Sequence, residues 1–267
     1  MQVIPFAGLS LYQMFLMFCF WSFIGWCIEV IDMTYETGEN QNRGFLNMPI
    51  CPIEGLGVVM VTVFFRPIAN TIVPLFVAST ILCTAFELFV GWGMEKLFHA
   101  RWWDYSHYRF NIQGRICLLG AIVFGFGGVL IIDVVQPQVE RLTAMIPLLA
   151  VHVICAVAAI VVIIDTIVIC SCSAFIMLLA PADLINGLEG MDLLQAAWQW
   201  GKEEFREKMH DLSESSQERV ANMRQLVSSA LNWQQRRMIR SFPRMRSTDS
   251  TKYSKIMETV REMLRRK

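Results

Sequence analysis

The sequence predicts an all-α polytopic membrane protein with about five transmembrane helices. Of its 267 residues, 55% are hydrophobic, and the mean hydropathy of +0.45 is high for a soluble domain. Several uncharged stretches approach the roughly 20 residues that a helix needs to cross a bilayer. The organisation expected is a helical transmembrane domain over 1–182. A cytoplasmic helical tail, amphipathic or coiled and ending in basic residues, is expected over 183–267.

Four uncharged segments are the clearest transmembrane helices. They are 11–28, 67–86 with an extension to Trp92, 116–132 and 142–164. A fifth segment, 55–65, is shorter because Glu54 and Arg66 bound it. It either spans with its polar ends reaching the interfaces or enters the membrane and returns.

The distribution of basic residues favours five spans with the N-terminus outside, in the cell (plasma) membrane. Lys and Arg in short loops favour the cytoplasm. In this topology Arg43, the basic residues of 95–115 and the tail lie inside, and Arg66 and Arg141 lie outside. If 55–65 does not cross, Arg43 moves outside and Glu29 is separated from Glu87.

Charge and cysteine content exclude some classes of protein. Residues 1–182 carry seven basic and eleven acidic residues, whereas 183–267 carry sixteen and twelve. This pattern is not that of a soluble nucleic-acid-binding protein. The eight cysteines form no CxxC pair, so we expect reduced thiols and neither a metal site nor a cofactor.

The C-terminal third joins a long apolar stretch to an amphipathic one. Residues 145–182 are too long for one perpendicular span, and Asp165 interrupts them near the expected cytoplasmic boundary, where a headgroup position explains it most simply. Apolar residues then recur at helical spacing within 193–235. From Arg236 onward, mixed basic and apolar residues favour either binding to anionic lipid or a solvated basic tail.

Ionisable residues mark the ends of several predicted spans. In the five-span topology Glu29, Glu54, Glu87 and Arg115 all lie toward the cytoplasmic side. A carboxylate in hydrocarbon costs roughly 2.5 to 3.5 kcal/mol, so Glu87 should face the bundle and find a partner. Arg43 and Arg115 are the expected partners.

These residues and the polar cassette 95–115 form the candidate substrate-binding site. Its members are Glu29, Arg43, Asn47, Glu87, Glu95, Trp103, Asp104, Tyr105, Asn111 and Arg115. Ion pairs and a bidentate Arg suit ligand capture, but they equally suit helix packing. The paired tryptophans are also typical of an aromatic belt at a membrane interface.

A series of short motifs resembles a known bacterial family. The motifs are Gly25-Trp26 to Glu29, NRGFLN, CP-x-x-G, E-x7-E-K from Glu87, WWDYS, N-x-x-GRICL and Pro137-x-x-Glu140-Arg141. Over about 11–150 they are similar to the ABC-transporter type IV family of the CmpB type. That family usually has an aromatic residue where this chain has Glu54 and a Gly where it has Met48.

The resemblance implies a permease subunit, and two other functions stay open. The chain lacks a G-x-x-x-x-G-K-[ST] loop, so a permease would need a separate ATPase subunit, and five spans would favour a homodimer. A lipid-directed enzyme at the inner leaflet could use the carboxylates with His99, His107 and Arg115. The third alternative is a membrane anchor or sensor. Transport is favoured and an enzyme is less expected.

Overall fold

Helices dominate the residues that the computed structural model describes, which are 8–38, 42–98, 100–178, 233–242 and 245–247. The helices are α1 (Leu11–Thr37), α2 (Pro52–Phe65), α3 (Ile72–Phe98), α4 (Leu118–Leu130), α5 (Gln136–Ala144), α6 (Leu148–Leu178) and α7 (Trp233–Ser241). Four short strands accompany them: β1 (Ala100–Arg101), β2 (Asn111–Ile112), β3 (Ile116–Cys117) and β4 (Arg246–Ser247). The predicted all-α membrane fold is confirmed.

Within the described part of the chain, four helices are long and apolar enough to cross a membrane, namely Leu11–Tyr35, Ile72–Phe98, Leu118–Ala144 and Leu148–Ser171. They correspond to the four clear spans of the sequence. The short predicted segment forms α2, which has 14 residues. At 1.5 Å per residue it is about 21 Å long, less than the hydrocarbon core of about 30 Å.

Helix boundaries differ from the predicted ones at two places. The cassette was expected to begin at Glu95, but α3 continues to Phe98 and so includes the first residues of that cassette. The third candidate span extends past its predicted end at 132, because a π-helical turn (Ile131–Val135) joins α4 to α5. Pro137 lies in the first turn of α5, directly after this π-helical turn, and it donates no backbone hydrogen bond there.

Two compact units make up the chain, and the first contains residues 1–93 and 103–167. Within it α1 and α2 run in opposite directions. Near the end of α1, Gly25 packs against the Cβ and Cγ of Glu54 in the first turn of α2. A short 3₁₀ turn, Arg66–Ile68, follows α2, and there Arg66 forms an ion pair of 2.8 Å with Glu140 of α5.

The remaining helices of this unit also alternate in direction. The backbone N–H of Asn70, just before α3, donates to Asp133, whereas Gly91 near the end of α3 packs against Trp103. Helix α6 begins beside α1, where Tyr12 and His152 have ring centroids 4.3 Å apart. One end of the first unit contains the C-terminal turns of α1 and the first turn of α2. We call it the site end.

Glycines allow close approach between neighbouring helices. A Cβ at Gly128 would overlap the side chain of Ser79, and one at Gly125 would overlap Thr80 and Phe76. Small residues are the usual means by which membrane helices bring their backbones together. The α3–α4 interface therefore depends on the absence of side chains at these two positions.

A hydrogen-bonded chain crosses the apolar interior of the first unit. The Trp21 indole N–H donates to Gln136 Oε1 at 3.0 Å, and the Gln136 amide donates to Glu140 Oε1 at 3.2 Å. Leu9, Met17 and Val139 are buried around it. These bonds satisfy polar groups that would otherwise be costly in a water-free interior.

The second unit contains residues 94–102 and 168–267, of which 94–98, 100–102, 168–178, 233–242 and 245–247 are described. Strand β1 pairs with β4, and the buried Trp102 makes edge contacts with Phe98 and Phe242. Met238 and Ile239 of α7 are also buried, so these two apolar residues of the basic segment face protein rather than lipid or water. The predicted boundary at 182 and nearly all of the helix at 193–235 lie outside the described residues.

The seven cysteines whose side chains are described are all free thiols. They are Cys19, Cys27, Cys51, Cys83, Cys117, Cys155 and Cys170.

Helix packing at Gly128 is testable by substitution. We expect Gly128→Leu to destabilise the folded protein by about 1 to 3 kcal/mol, because the new side chain overlaps Ser79 on α3. Gly127→Leu is the matched control, since a Cβ at Gly127 meets no atom of the described residues within 4 Å. Thermal unfolding in detergent measures both, and equal unfolding temperatures for the two variants would contradict the proposed contact.

Candidate functional site

An ion pair between α1 and the following loop lies at the site end. Arg43 Nε is 2.8 Å from Glu29 Oε2, and Arg43 Nη1 is 3.5 Å from Asp32 Oδ2. The Arg43 side chain is 19% exposed and that of Glu29 is 35% exposed. Because the pair is partly buried, water screens it less than it screens a surface pair. Removal of one partner would leave the other as an uncompensated, partly buried charge, which is energetically unfavourable.

The loop 42–51 holds Arg43 in this position. Asn42 Oδ1 accepts hydrogen bonds from the Trp26 indole N–H at 2.6 Å and from the Gly44 N–H at 3.0 Å. The Asn42 amide donates to the carbonyl of Asn47. Asn42 and Gly44 flank Arg43, so these bonds fix the backbone from which its side chain extends.

Three carboxylates from three helices share the site end. Glu29 of α1, Glu54 of α2 and Glu87 of α3 are close enough to repel one another electrostatically. Glu29 has Arg43 as its partner, whereas Glu54 and Glu87 have no ion pair among the described residues. Glu54, where the resembling family usually has an aromatic residue, is not among the ten predicted site residues, yet it packs against Gly25 at the same end.

The thiol of Cys51 lies in the same negative environment. It precedes α2, and its pKa is raised to about 12 by burial and then by the charges of Glu29 and Glu54, although Arg43 acts in the opposite direction. Burial and nearby anions both disfavour a thiolate. Cys51 is therefore a neutral neighbour of the carboxylates rather than a nucleophile.

Glu87 has a phenol as its partner instead of the predicted guanidinium. The Tyr105 hydroxyl donates to Glu87 Oε1 at 3.3 Å. Burial, followed by the nearby Glu87 and Glu29, raises the pKa of Tyr105 above its ordinary value of 10.0. Tyr105 thus stays a neutral donor, whereas Arg43 is committed to Glu29 and Asp32.

The rest of the cassette forms a tight hairpin. Strands β2 and β3 pair across a three-residue turn, 113–115, in which Gln113 and Gly114 both have positive φ. Asn111 Oδ1 accepts from the Gly114 N–H at 2.9 Å, and its amide donates to the Tyr108 carbonyl. The interactions seen for Asn111 therefore shape the loop.

Trp103 connects the turn of this hairpin to α3. The Trp103 indole N–H donates to the Arg115 carbonyl at 3.0 Å, and its ring lies against Gly91 of α3. The Arg115 guanidinium bonds to Gln113 at an exposed position. Asp104 accepts from the N–H and hydroxyl of Ser106, a local turn.

The ten candidate residues are distributed over both units. Nine belong to the first unit, in which Glu29 meets Arg43, Glu87 meets Tyr105, and Trp103 meets Arg115. Glu95 belongs to the second unit, where Arg101 Nε lies 2.6 Å from its carboxylate. Of the two candidate histidines, His107 packs on the Tyr108 ring, and His99 lies outside the described residues.

Asp165 contacts the loop 42–51, and the sequence analysis did not predict that it belongs to the site. Its carboxylate accepts from the Asn47 amide at 2.7 Å and from the Met48 N–H at 2.9 Å. The sequence did show an acidic residue within a long apolar segment, but its position near the membrane boundary was interpreted as contact with lipid headgroups. Among the described residues, no group of His, Cys, Asp and Glu is arranged to hold a metal ion.

Tyr105 gives a pH test of this geometry. Because its pKa is higher in the folded than in the unfolded chain, its stabilising effect is complete below pH 10 and is lost as pH rises further. We expect the unfolding free energy to fall as pH rises above 10, and Tyr105→Phe to reduce that slope. Tyr108→Phe is the control, and identical slopes in wild type and Tyr105→Phe would contradict a buried phenol.

Comparisons with known proteins identify the family. The family described as "Putative ABC-transporter type IV" matches residues 16–170, more than half of the chain. The match extends past the last of the motifs and includes Asp165. The curated proteins gave no match, and neither did the solved structures. With its apolar helices and this match, the chain is a membrane protein that belongs to the ABC-transporter type IV family.

Proposed function

We propose that this chain is the permease subunit of a transport system and that its site end binds a positively charged substrate near the cytoplasmic leaflet. In this proposal the chain crosses the plasma membrane five times with its N-terminus outside. Membership of a transporter family supports the general function. The convergence of Glu29, Glu54 and Glu87 is the observation that carries the site.

The five-crossing topology is supported by the contacts at the two ends of α2. Its first turn lies beside Gly25, and the turn that follows it is joined to α5 through Arg66 and Glu140. Helix α2 thus connects opposite ends of the first unit although it is short. A re-entrant segment would return its two ends to the same side.

The charge balance supports a cationic rather than an anionic substrate. Arg43 offsets Glu29, and the remaining pair, Glu54 and Glu87, has a phenol as its only hydrogen-bonding partner among the described residues. Ionised carboxylates at low dielectric attract cations strongly, and an anion would add to their repulsion. Intramembrane carboxylates commonly mark substrate or ion pathways.

A separate ATPase and a second copy of the chain complete the proposal. The sequence contains no phosphate-binding loop of the G-x-x-x-x-G-K-[ST] type, so another subunit would supply ATP hydrolysis. A homodimer would double the number of helices available to line a path. The alternative of an inner-leaflet enzyme has less support, because Arg115 bonds Gln113 and His107 packs on Tyr108.

Substitution of the carboxylates tests the site. Uptake is measured in proteoliposomes containing the purified transport complex, with labelled putrescine, choline and lysine as cations and glutamate and citrate as anions. We expect uptake of at least one cation, and we expect Glu54→Gln and Glu87→Gln each to reduce it about tenfold or more, as loss of one charge contact of about 1.4 kcal/mol would.

Asp133→Asn is the matched control for this experiment. Asp133 accepts from the Asn70 N–H through one oxygen, and an asparagine keeps such an acceptor. Cation uptake by Asp133→Asn should equal that of the wild type. Cation uptake that survives both Gln variants, or uptake of anions only, would overturn the proposed site.

The energy source is tested with orthovanadate, which inhibits ATP hydrolysis by ABC-type ATPases. We expect vanadate to abolish uptake in vesicles that contain the copurified complex and ATP, whereas a protonophore should leave uptake in place. Uptake that persists with vanadate and stops with the protonophore would replace the ATPase with an ion gradient.

A further inference from the structure

We propose that Asp165 of α6 is a positioning residue for the site: it holds the loop 42–51 so that Arg43 stays on Glu29. The importance of this role rests on the proposed function, because Arg43 sets the charge of the carboxylate cluster. The geometry of the loop is independent of what is transported.

Asp165 faces the interior of the bundle rather than the lipid headgroups. The residue is 8% exposed, whereas its neighbour Ile164 is 56% exposed and Thr166 is also exposed. Val151 and Cys155 are likewise buried on this helix. A position that merely marked the membrane boundary would leave the carboxylate in water, so burial points to a role inside the protein.

The two partners of Asp165 are both donors from the loop. Oδ1 accepts from the Asn47 amide at 2.7 Å, and Oδ2 accepts from the Met48 N–H at 2.9 Å. An ionised carboxylate offers acceptors only and therefore matches two donors. Hydrogen bonds to a charged acceptor are also stronger than those between neutral groups.

The restraint passes from Asp165 to Arg43 through the loop itself. The Asn47 carbonyl accepts from the Asn42 amide at 3.2 Å, and Asn42 in turn receives the Gly44 N–H and the Trp26 indole N–H. The loop is thus tied to α1 through Trp26 and to α6 through Asp165. Arg43 lies within the segment that these two attachments hold.

Chemical modification of Arg43 measures this role without a transport assay. Phenylglyoxal modifies accessible guanidinium groups, and peptide mapping by mass spectrometry gives the rate at Arg43 alone. In the purified full chain we expect Asp165→Ala to raise that rate roughly tenfold. The reason is that hydrogen bonds to a charged acceptor favour the closed loop over the open one by a factor of about ten. Glu29→Gln, which removes the direct partner of Arg43, provides the reference for a released guanidinium.

The conservative variant separates positioning from other roles of Asp165. In Asp165→Asn the Asn47 amide can flip, so that the introduced side chain accepts from the Met48 N–H through its oxygen and donates to Asn47 through its nitrogen. The Arg43 rate should then stay within about twofold of wild type. Thr166→Ala is the control on the same helix, because the Thr166 hydroxyl donates only to the Val162 carbonyl among the residues that the structure describes. Asn47→Ala, which removes one of the two donors, should give an intermediate rate and serves if Asp165→Ala does not fold.

Two results would overturn the proposal. One is a wild-type rate at Arg43 in both Asp165→Ala and Asn47→Ala while Glu29→Gln reacts faster. The other is a rate in Asp165→Asn as high as in Asp165→Ala, which would assign the effect to the negative charge rather than to the two hydrogen bonds. Neither result depends on uptake, so a failure of the transport proposal remains distinguishable.

Discussion

The ion pair between Glu29 and Arg43 is the interaction on which the arrangement of the site end depends. It joins the end of α1 to the loop that leads into α2, and it offsets one of three carboxylates that repel one another. Its cation extends from a backbone segment that Asn42 fixes on Trp26. The protein thus places a flexible, charged side chain by means of hydrogen bonds to the loop residues on either side of it.

Much of the fold could be predicted because a membrane imposes simple rules on sequence. Length and hydropathy located the four long helices, because each contains a long uncharged stretch that is visible without tertiary information. The extension of the third of them through 131–144 was missed. The predicted segment ended at 132 because it was an uncharged stretch and Asp133 follows it, whereas in the structure a π-helical turn joins α4 to α5 there.

The site was only partly predictable, since sequence gives the polar residues but not their partners. Glu87 was expected to need a partner, and it has one, yet the partner is Tyr105 because Arg43 is already committed. Asn111 and Asp104 were chosen for their polarity, but the bonds seen for them shape local turns. Asp165 was overlooked because its donors, on Asn47 and Met48, are more than a hundred residues away in the sequence.

The brevity of α2 has a mechanical consequence for the surrounding lipid. Its 14 residues and the following 3₁₀ turn stay below the thickness of about 30 Å typical of a bilayer's hydrocarbon core. In the proposed topology, acyl chains beside α2 would have to compress, at a cost of fractions of a kcal/mol per Å. Such local thinning of the bilayer around α2 would make the protein sensitive to acyl-chain length and would favour its location in thinner regions of the membrane.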